Sequence, residues 1–263
     1  MDKPIITNKN YFSKRAQMEY LGASQFKSFL DCPARTMAEI KGKYERTDTK
    51  ALLMGSYVDA HFSGEMDQFV KDHPDIFKKD GSLKADYLQC DKMIERAESD
   101  KLFKKYMSGE PQVVMTGTLF GSQYKIKMDS YFPGQMIVDL KCMRDIKPIY
   151  KDGSYQTFID AWRYDLQMYI YQQIEAQNSE SGELLPCYLA VITKEEEPDI
   201  HLIEIPQWKL NGAAALVKHY TPIFQAYKDG YATPPRCEHC SYCHKTKKII
   251  KPESYEDIME VME

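Results

Sequence analysis

Residues 123–132 and 135–143 alternate polar and apolar positions, the period of strands that turn one face to a core. Pro133-Gly134 between them marks a turn. A three-residue loop over 133–135 then sets Asp129 opposite Asp139 and Lys127 opposite Lys141. Directly opposed residues of antiparallel strands have Cβ atoms roughly 4.5–5.5 Å apart. Ile126, Met128, Val138 and Leu140 fall on the other face, so the pattern predicts a hairpin with one apolar side and one side of two carboxylates and two ammoniums. Further strands are predicted over 112–120, 186–193 and 200–205. Helical spacing covers 24–31 with Ser24 as N-cap, 50–62, one or two charged helices within 83–107, a long helix over 155–178, and 211–229. Pro33 should break or restart the first helix. Together these elements predict a layered α/β architecture.

Composition narrows the class only a little. With 263 residues, 43% of them hydrophobic, the chain can form one large domain or a core with helical additions. No apolar run is long enough to predict a membrane helix. Met1-Asp2-Lys3-Pro4 lacks a signal-peptide pattern, so a cytoplasmic protein without a membrane partner is expected. The net charge of −4 is not that of a strongly basic nucleic-acid binder, but phosphate contact depends on local clusters. Two candidates are Lys125/Lys127/Lys141/Arg144/Lys147 and Lys245/Lys247/Lys248. Negative charge gathers at Glu195-Glu196-Glu197 and after Pro252, which suggests a domain over 1–245 and an acidic tail over 246–263.

The candidate chemistry centres on the hairpin. Two opposed carboxylates repel, and one would be pushed toward protonation. A divalent cation between them removes the conflict, and hard oxygen donors suit Mg²⁺ or Mn²⁺. Lys141, two residues after Asp139, could position a water or stabilise charge developing on a phosphate. The plainer alternative is an amphipathic hairpin with a solvated charged face. Leu53, Tyr57 and His61 share one helix face, where His61 is either a satisfied core histidine or a neutral metal ligand. Asp59 points off that face and is set aside. Gln167 and Tyr171 lie one helical turn apart and can face one groove. Cys90, Cys142 and Cys187 are isolated, whereas Cys237-x-x-Cys240-x-x-Cys243 suggests a metal rather than disulfides. Its fourth ligand could be His239, His244 or the distant Cys32.

In order along the chain, these motifs resemble the PD-(D/E)xK nuclease superfamily, and within it the RecB-like and RecE-type phage recombination exonucleases. The resemblance rests on Ser24 to Pro33 with its Cys-Pro end, Gly55 to His61, Asp129, the triplet Asp139-Leu140-Lys141, and Gln167 to Tyr171. It spans about residues 20–245, and each motif alone is weak. It implies a restriction-endonuclease-like core: a central mixed sheet flanked by helices, with helical N-terminal additions, a helical insertion around 65–108 and a Cys-rich C-terminal segment. The implied activity is a Mg²⁺- or Mn²⁺-dependent exonuclease that degrades linear double-stranded DNA from its ends and leaves single strands for recombination. His61, Asp129, Asp139 and the Leu140 carbonyl would hold metal; Lys141 and Gln167 would serve catalysis; Tyr171, Lys127 and Arg144 would meet DNA. Cys32, Cys237, Cys240 and Cys243 would bind a [4Fe–4S] cluster, with zinc completed by a histidine as the competitor. Implied partners are DNA, a single-strand annealing recombinase and further copies of the chain, in a bacterial or phage-infected cytoplasm. Two other readings remain: a non-catalytic DNA-binding adaptor on the same fold, and an enzyme of another phosphate ester.

Overall fold

The computed structural model describes residues 4–47, 49–250, 252, 254 and 255. Among the described residues the strands are β1 (Glu110–Leu119), β2 (Ser122–Phe132), β3 (Met136–Met143), β4 (Ile149–Lys151), β5 (Ser154–Gln156), β6 (Cys187–Thr193) and β7 (Ile200–Ile205). The helices are α1 (Lys14–Glu19), α2 (Ala23–Asp31), α3 (Pro33–Ile40), α4 (Lys50–Ser63), α5 (Met66–Asp72), α6 (Ala85–Ser99), α7 (Lys101–Tyr106), α8 (Phe158–Ala161), α9 (Tyr164–Asn178), α10 (Gln207–Asp229) and α11 (Ser241–Thr246).

The turn at 133–135 forms as its residues require. Gly134 takes φ 66, and the Gln135 N–H donates to the Phe132 carbonyl at 2.9 Å. This sets the register Phe132↔Met136, Tyr131↔Ile137 and Ser130↔Val138, the pairing expected from a three-residue loop. The central sheet runs β1-β2-β3-β6-β7 and is mixed: β3 pairs parallel with β6, and its other neighbouring strands are antiparallel. A parallel pair needs a crossover. Here it passes through the β4–β5 hairpin, α8 and α9, so α9 is laid against β1 and β2.

Both faces of the sheet are covered. One core joins α2, α9 and α10 to Ile126, Met128, Ile137 and Leu189. The other joins α4 and α6 to Val138, Leu140, Ala190 and Ile192. Burial on both sides explains the nearly unbroken apolar run of β6. It also corrects the expected division of the hairpin into one apolar and one charged side. Ile126 and Met128 do not share a face with Val138 and Leu140, because the two pairs lie in opposite cores. Met128 and Tyr131, three apart, share a core, so the alternation of β2 slips between them. Across from the slip, Gln112 lies between the pairs Pro111↔Ser130 and Val113↔Met128 with φ 54.

Several element boundaries moved for local reasons. Gly22, not Ser24, is the N-cap of α2. Pro33 restarts the chain as N1 of α3, with Cys32 as its cap. Asp100 divides the 83–107 segment by capping α7, its carboxylate accepting from Leu102 and Phe103 N–H groups at 2.9 Å. The long helix over 155–178 is instead β5, α8 and α9, separated before α9 by Arg163 at φ 52. The helices of the 65–108 segment pack against α4 and one face of the sheet. Within the predicted acidic tail, residues 251, 253 and 256–263 lie outside the described residues. Among the described residues no helix is long and apolar enough to cross a membrane.

Candidate active site and cysteine centre

The site lies where β2 and β3 separate. Beyond Ser130↔Val138 the ladder stops, and the Leu140 N–H donates to Asp129 Oδ2 at 2.8 Å. A carboxylate thus takes the place of a strand carbonyl. Asp139, 2% exposed, forms an ion pair with Lys141, whose ammonium also donates to the Leu140 carbonyl at 3.3 Å. The crossover helix α9 brings in Gln167, whose Nε2 donates to Asp139 Oδ1 at 2.7 Å. Lys27 on α2 donates to Gln167 Oε1 at 3.1 Å. The two ammoniums flank Tyr164, at 4.9 Å for Lys27 and 5.0 Å for Lys141 from the ring centroid. From the opposite core, α4 contributes Asp59, held by Gln112 Nε2 at 3.2 Å. Asp59, Asp129, Leu140, Lys141 and Tyr164 line a cleft of about 260 Å³.

The electrostatics show a carboxylate surplus. Burial, then Asp139 and Asp59, raise the Asp129 pKa well above the ordinary carboxylate range. Burial also raises Asp59. Burial works against the Lys141 charge, but the Asp139 and Asp129 carboxylates outweigh it and raise its pKa. Lys27 is lowered to about 8 by burial and by Lys141. Gln112 Oε1 is buried and accepts no hydrogen bond, whereas the buried Asp139 Oδ2 has the Lys141 ammonium as its partner. Asp129 and Asp59, raised by burial and by the neighbouring Asp139 carboxylate, form with it a buried carboxylate set that fits a hard divalent cation. Mg²⁺ keeps several waters and takes one or two carboxylates. That suits a site whose carboxylates are not drawn tightly together: among the described residues, only four cysteines bring three or more donors within 4.8 Å of one another.

Other residues from the sequence reading are placed differently. His61 turns away and meets Glu98 Oε1 at 2.9 Å on the neighbouring helix α6. The helix delivers Asp59 to the cleft instead, because positions two apart point in widely different directions around a helix. Asp59 was set aside on a face argument anchored to His61; its own one-turn spacing from Gly55, which also lines the cleft, was the usable signal. Tyr171 is 7% exposed, with its phenol pKa raised by burial, so it supports Gln167 from within and cannot meet a strand from solvent. Lys127 is half-buried, 5.9 Å over Tyr11 and 5.3 Å over Phe12. Arg144 is exposed and bonded to Asp145 at 2.8 Å. The five-residue basic patch does not form: Lys125 is buried against the Tyr11 carbonyl, with its pKa lowered to about 8 by burial, and Lys141 faces the cleft. Gln112 and Tyr164 carry no motif that distinguishes them, and Lys27 lies within the 24–33 motif with no role assigned to it.

The second centre joins the junction of α2 and α3 to the turn before α11 and to α11 itself. Cys32, Cys237, Cys240 and Cys243 place their sulfurs within 4.8 Å of one another. Cys32 and Cys243 are fully buried. Burial raises the Cys32 thiol to about 12. Burial also opposes ionisation of Cys237, but N–H groups of His239 and Cys240 bring it down to about 6. The set can hold a metal without either histidine: His239 turns its Nδ1 to the Cys237 carbonyl at 2.7 Å, and His244 is exposed.

A mixed sheet whose parting strands carry an aspartate and an Asp-x-Lys triplet, backed by a helix glutamine, defines the PD-(D/E)xK class. The family model described as a PDDEXK-like domain of unknown function (DUF3799) matches residues 22–246, and the chain belongs to that family. It is similar to a crystal structure of a Eubacterium rectale protein described as a "putative exonuclease", with 42% identity, a TM-score of 0.91, and coverage of 97% of this chain and 98% of that one. The crystal structure of SSO0001, 15% identical over 84% of this chain and 91% of that one, gives a TM-score of 0.30 and carries no argument. No curated protein matches the chain.

Proposed function

We propose that the chain is a divalent-metal-dependent deoxyribonuclease that degrades linear duplex DNA from its ends. The observation that carries this is the convergence of Asp129, Asp139, Lys141 and Gln167 at the parting of β2 and β3. Asp59, Asp129 and Asp139 would hold Mg²⁺ or Mn²⁺, which when bound would supply Lewis-acid polarisation of a phosphodiester. Lys141 lies where an ammonium can orient the attacking water or stabilise charge on the phosphorane. Gln167 holds Asp139 in place, and Lys27 holds Gln167. A further cleft of about 530 Å³ is lined by Lys27, Lys151, Arg163, Trp162 and Tyr164 together with Asp31 and Asp152, and shares Tyr164 with the first. It supports a strand path with cations for phosphates and an exposed indole for base stacking. The likeness to the Eubacterium rectale protein described as a "putative exonuclease" supports the exonuclease reading. On the same reading, the single strands produced would feed a single-strand annealing recombinase in a bacterial or phage-infected cytoplasm.

The deciding experiment compares end-labelled linear duplex with covalently closed circular DNA, with Mg²⁺, Mn²⁺ or EDTA. Mononucleotides or short products from the linear duplex alone, only with metal, are expected. Equal cleavage of the circle would refute end dependence. No cleavage of either substrate under any metal would refute the nuclease.

A further inference from the structure

The family resemblance implies an iron–sulfur cluster at the four cysteines, and their geometry does not fit one. Cys32 Sγ lies 3.7 Å from Cys243 Sγ, and Cys237 Sγ lies 3.9 Å from the same atom. These separations are far too long for disulfides, whose sulfurs are about 2.05 Å apart. Four metal–sulfur bonds of about 2.3 Å at tetrahedral angles place neighbouring sulfurs about 3.8 Å apart. A [4Fe–4S] cluster gives each cysteine its own iron, so the four thiolates stand outside a cube of iron and sulfide, on the order of 6 Å apart. Here all four sulfurs lie within 4.8 Å of one another, which leaves room for one ion and none for the cube.

We infer that Cys32, Cys237, Cys240 and Cys243 form a closed four-thiolate site for a single tetrahedral soft divalent ion of the zinc type. Soft thiolates in tetrahedral array select such an ion over hard cations. Binding replaces up to four S–H bonds by metal–sulfur bonds and releases the protons to solvent. The surroundings fit a site that is net negative once loaded. The Arg35 N–H donates to Cys32 Sγ at 3.5 Å, and Arg236 grips the Cys243 carbonyl at 2.5 Å. The Ala34 N–H donates to the Pro235 carbonyl at 3.0 Å, which joins the start of α3 to the turn before α11. The ion therefore staples the end of α2, the helix that carries Lys27, to the C-terminal segment.

The test measures metal on the full chain purified without chelators. Elemental analysis should give one zinc per chain, and iron with acid-labile sulfide should be absent. Replacement by Co²⁺ should give the intense visible bands of a tetrahedral cobalt–thiolate. Cys240→His should keep one zinc per chain, since a single-ion site tolerates three sulfurs and one imidazole, and His239→Ala with His244→Ala should leave the metal content unchanged. Iron and sulfide near four each per chain, or a metal-free protein that melts at the same temperature with and without added zinc, would overturn the assignment. Neither result bears on the aspartate cleft, whose Mg²⁺ or Mn²⁺ dependence is read separately on DNA.

Discussion

Replacing Lys141 with alanine tests both the chemistry and the energetics of the cleft. Its ammonium is paired with Asp139, 2% exposed, and the Asp139 and Asp129 carboxylates raise its pKa. Removing one partner of a buried pair leaves an uncompensated charge and costs about 3–5 kcal/mol. For a chain of this size that corresponds to a melting temperature lower by roughly 6–20 °C. The wild-type Lys141 pKa is raised, so its own titration leaves the contribution intact below the ordinary lysine value and removes it only as pH rises through the raised one. The full loss should therefore appear at pH 7.5. It should shrink as pH falls, because Asp129 and Asp59, already raised, take up protons and remove the repulsion that Lys141 relieved. Millimolar Mn²⁺ should restore part of the stability and none of the activity, since a cation can replace the charge but not the ammonium's place beside the phosphate. Cleavage should drop on the order of 10²-fold or more. Thermal melts across pH, with and without Mn²⁺, read the first effect, and single-turnover cleavage reads the second. An unchanged melt at pH 7.5 would refute the buried pair, and turnover within tenfold of wild type would refute the lysine's catalytic role.

Asp59→Asn should weaken Mn²⁺ binding in calorimetry while His61→Ala leaves it unchanged, since only Asp59 lines the cleft; the reverse order would restore the histidine as ligand. Lys228 is buried against the Tyr20 carbonyl and its pKa is lowered to about 7 by burial. The unfolded chain therefore binds more protons than the folded one above that value, and stability should rise from pH 7 toward pH 9, a slope that Lys228→Met should reduce. A melt that is flat or falling over that range contradicts the burial argument. Trp162→Ala should weaken single-stranded oligonucleotide binding in EDTA by about 1–3 kcal/mol, read by anisotropy, if the indole stacks a base; equal affinity would move the strand path elsewhere.

The local grammar of the chain was legible before folding. Pro133-Gly134 fixed the loop, the loop fixed the register, and the register placed Asp129 and Asp139 on neighbouring strands, because a turn's dihedral demands are written in its own residues. The order of the motifs carried the family and the mixed sheet for the same reason: each is a short-range pattern. What a helix turns toward the site was not legible. The 3.6-residue period says which side chains share a face, not which face meets β2 and β3, so Asp59 and His61 were exchanged. Nor could alternation along β2 and β3 reveal that both faces are covered, since α9 returns to one side and α4 with α6 close the other, and the pleat slips at Asp129. Tyr171 and Lys125 became interior groups for that reason. The cysteines show the same division. Spacing nominated Cys237, Cys240 and Cys243, but sulfur separations of 3.7 and 3.9 Å to and within that set exist only once α3 and the C-terminal turn are brought together. Distances between segments far apart in sequence are set by packing of the whole core, and no local pattern encodes them.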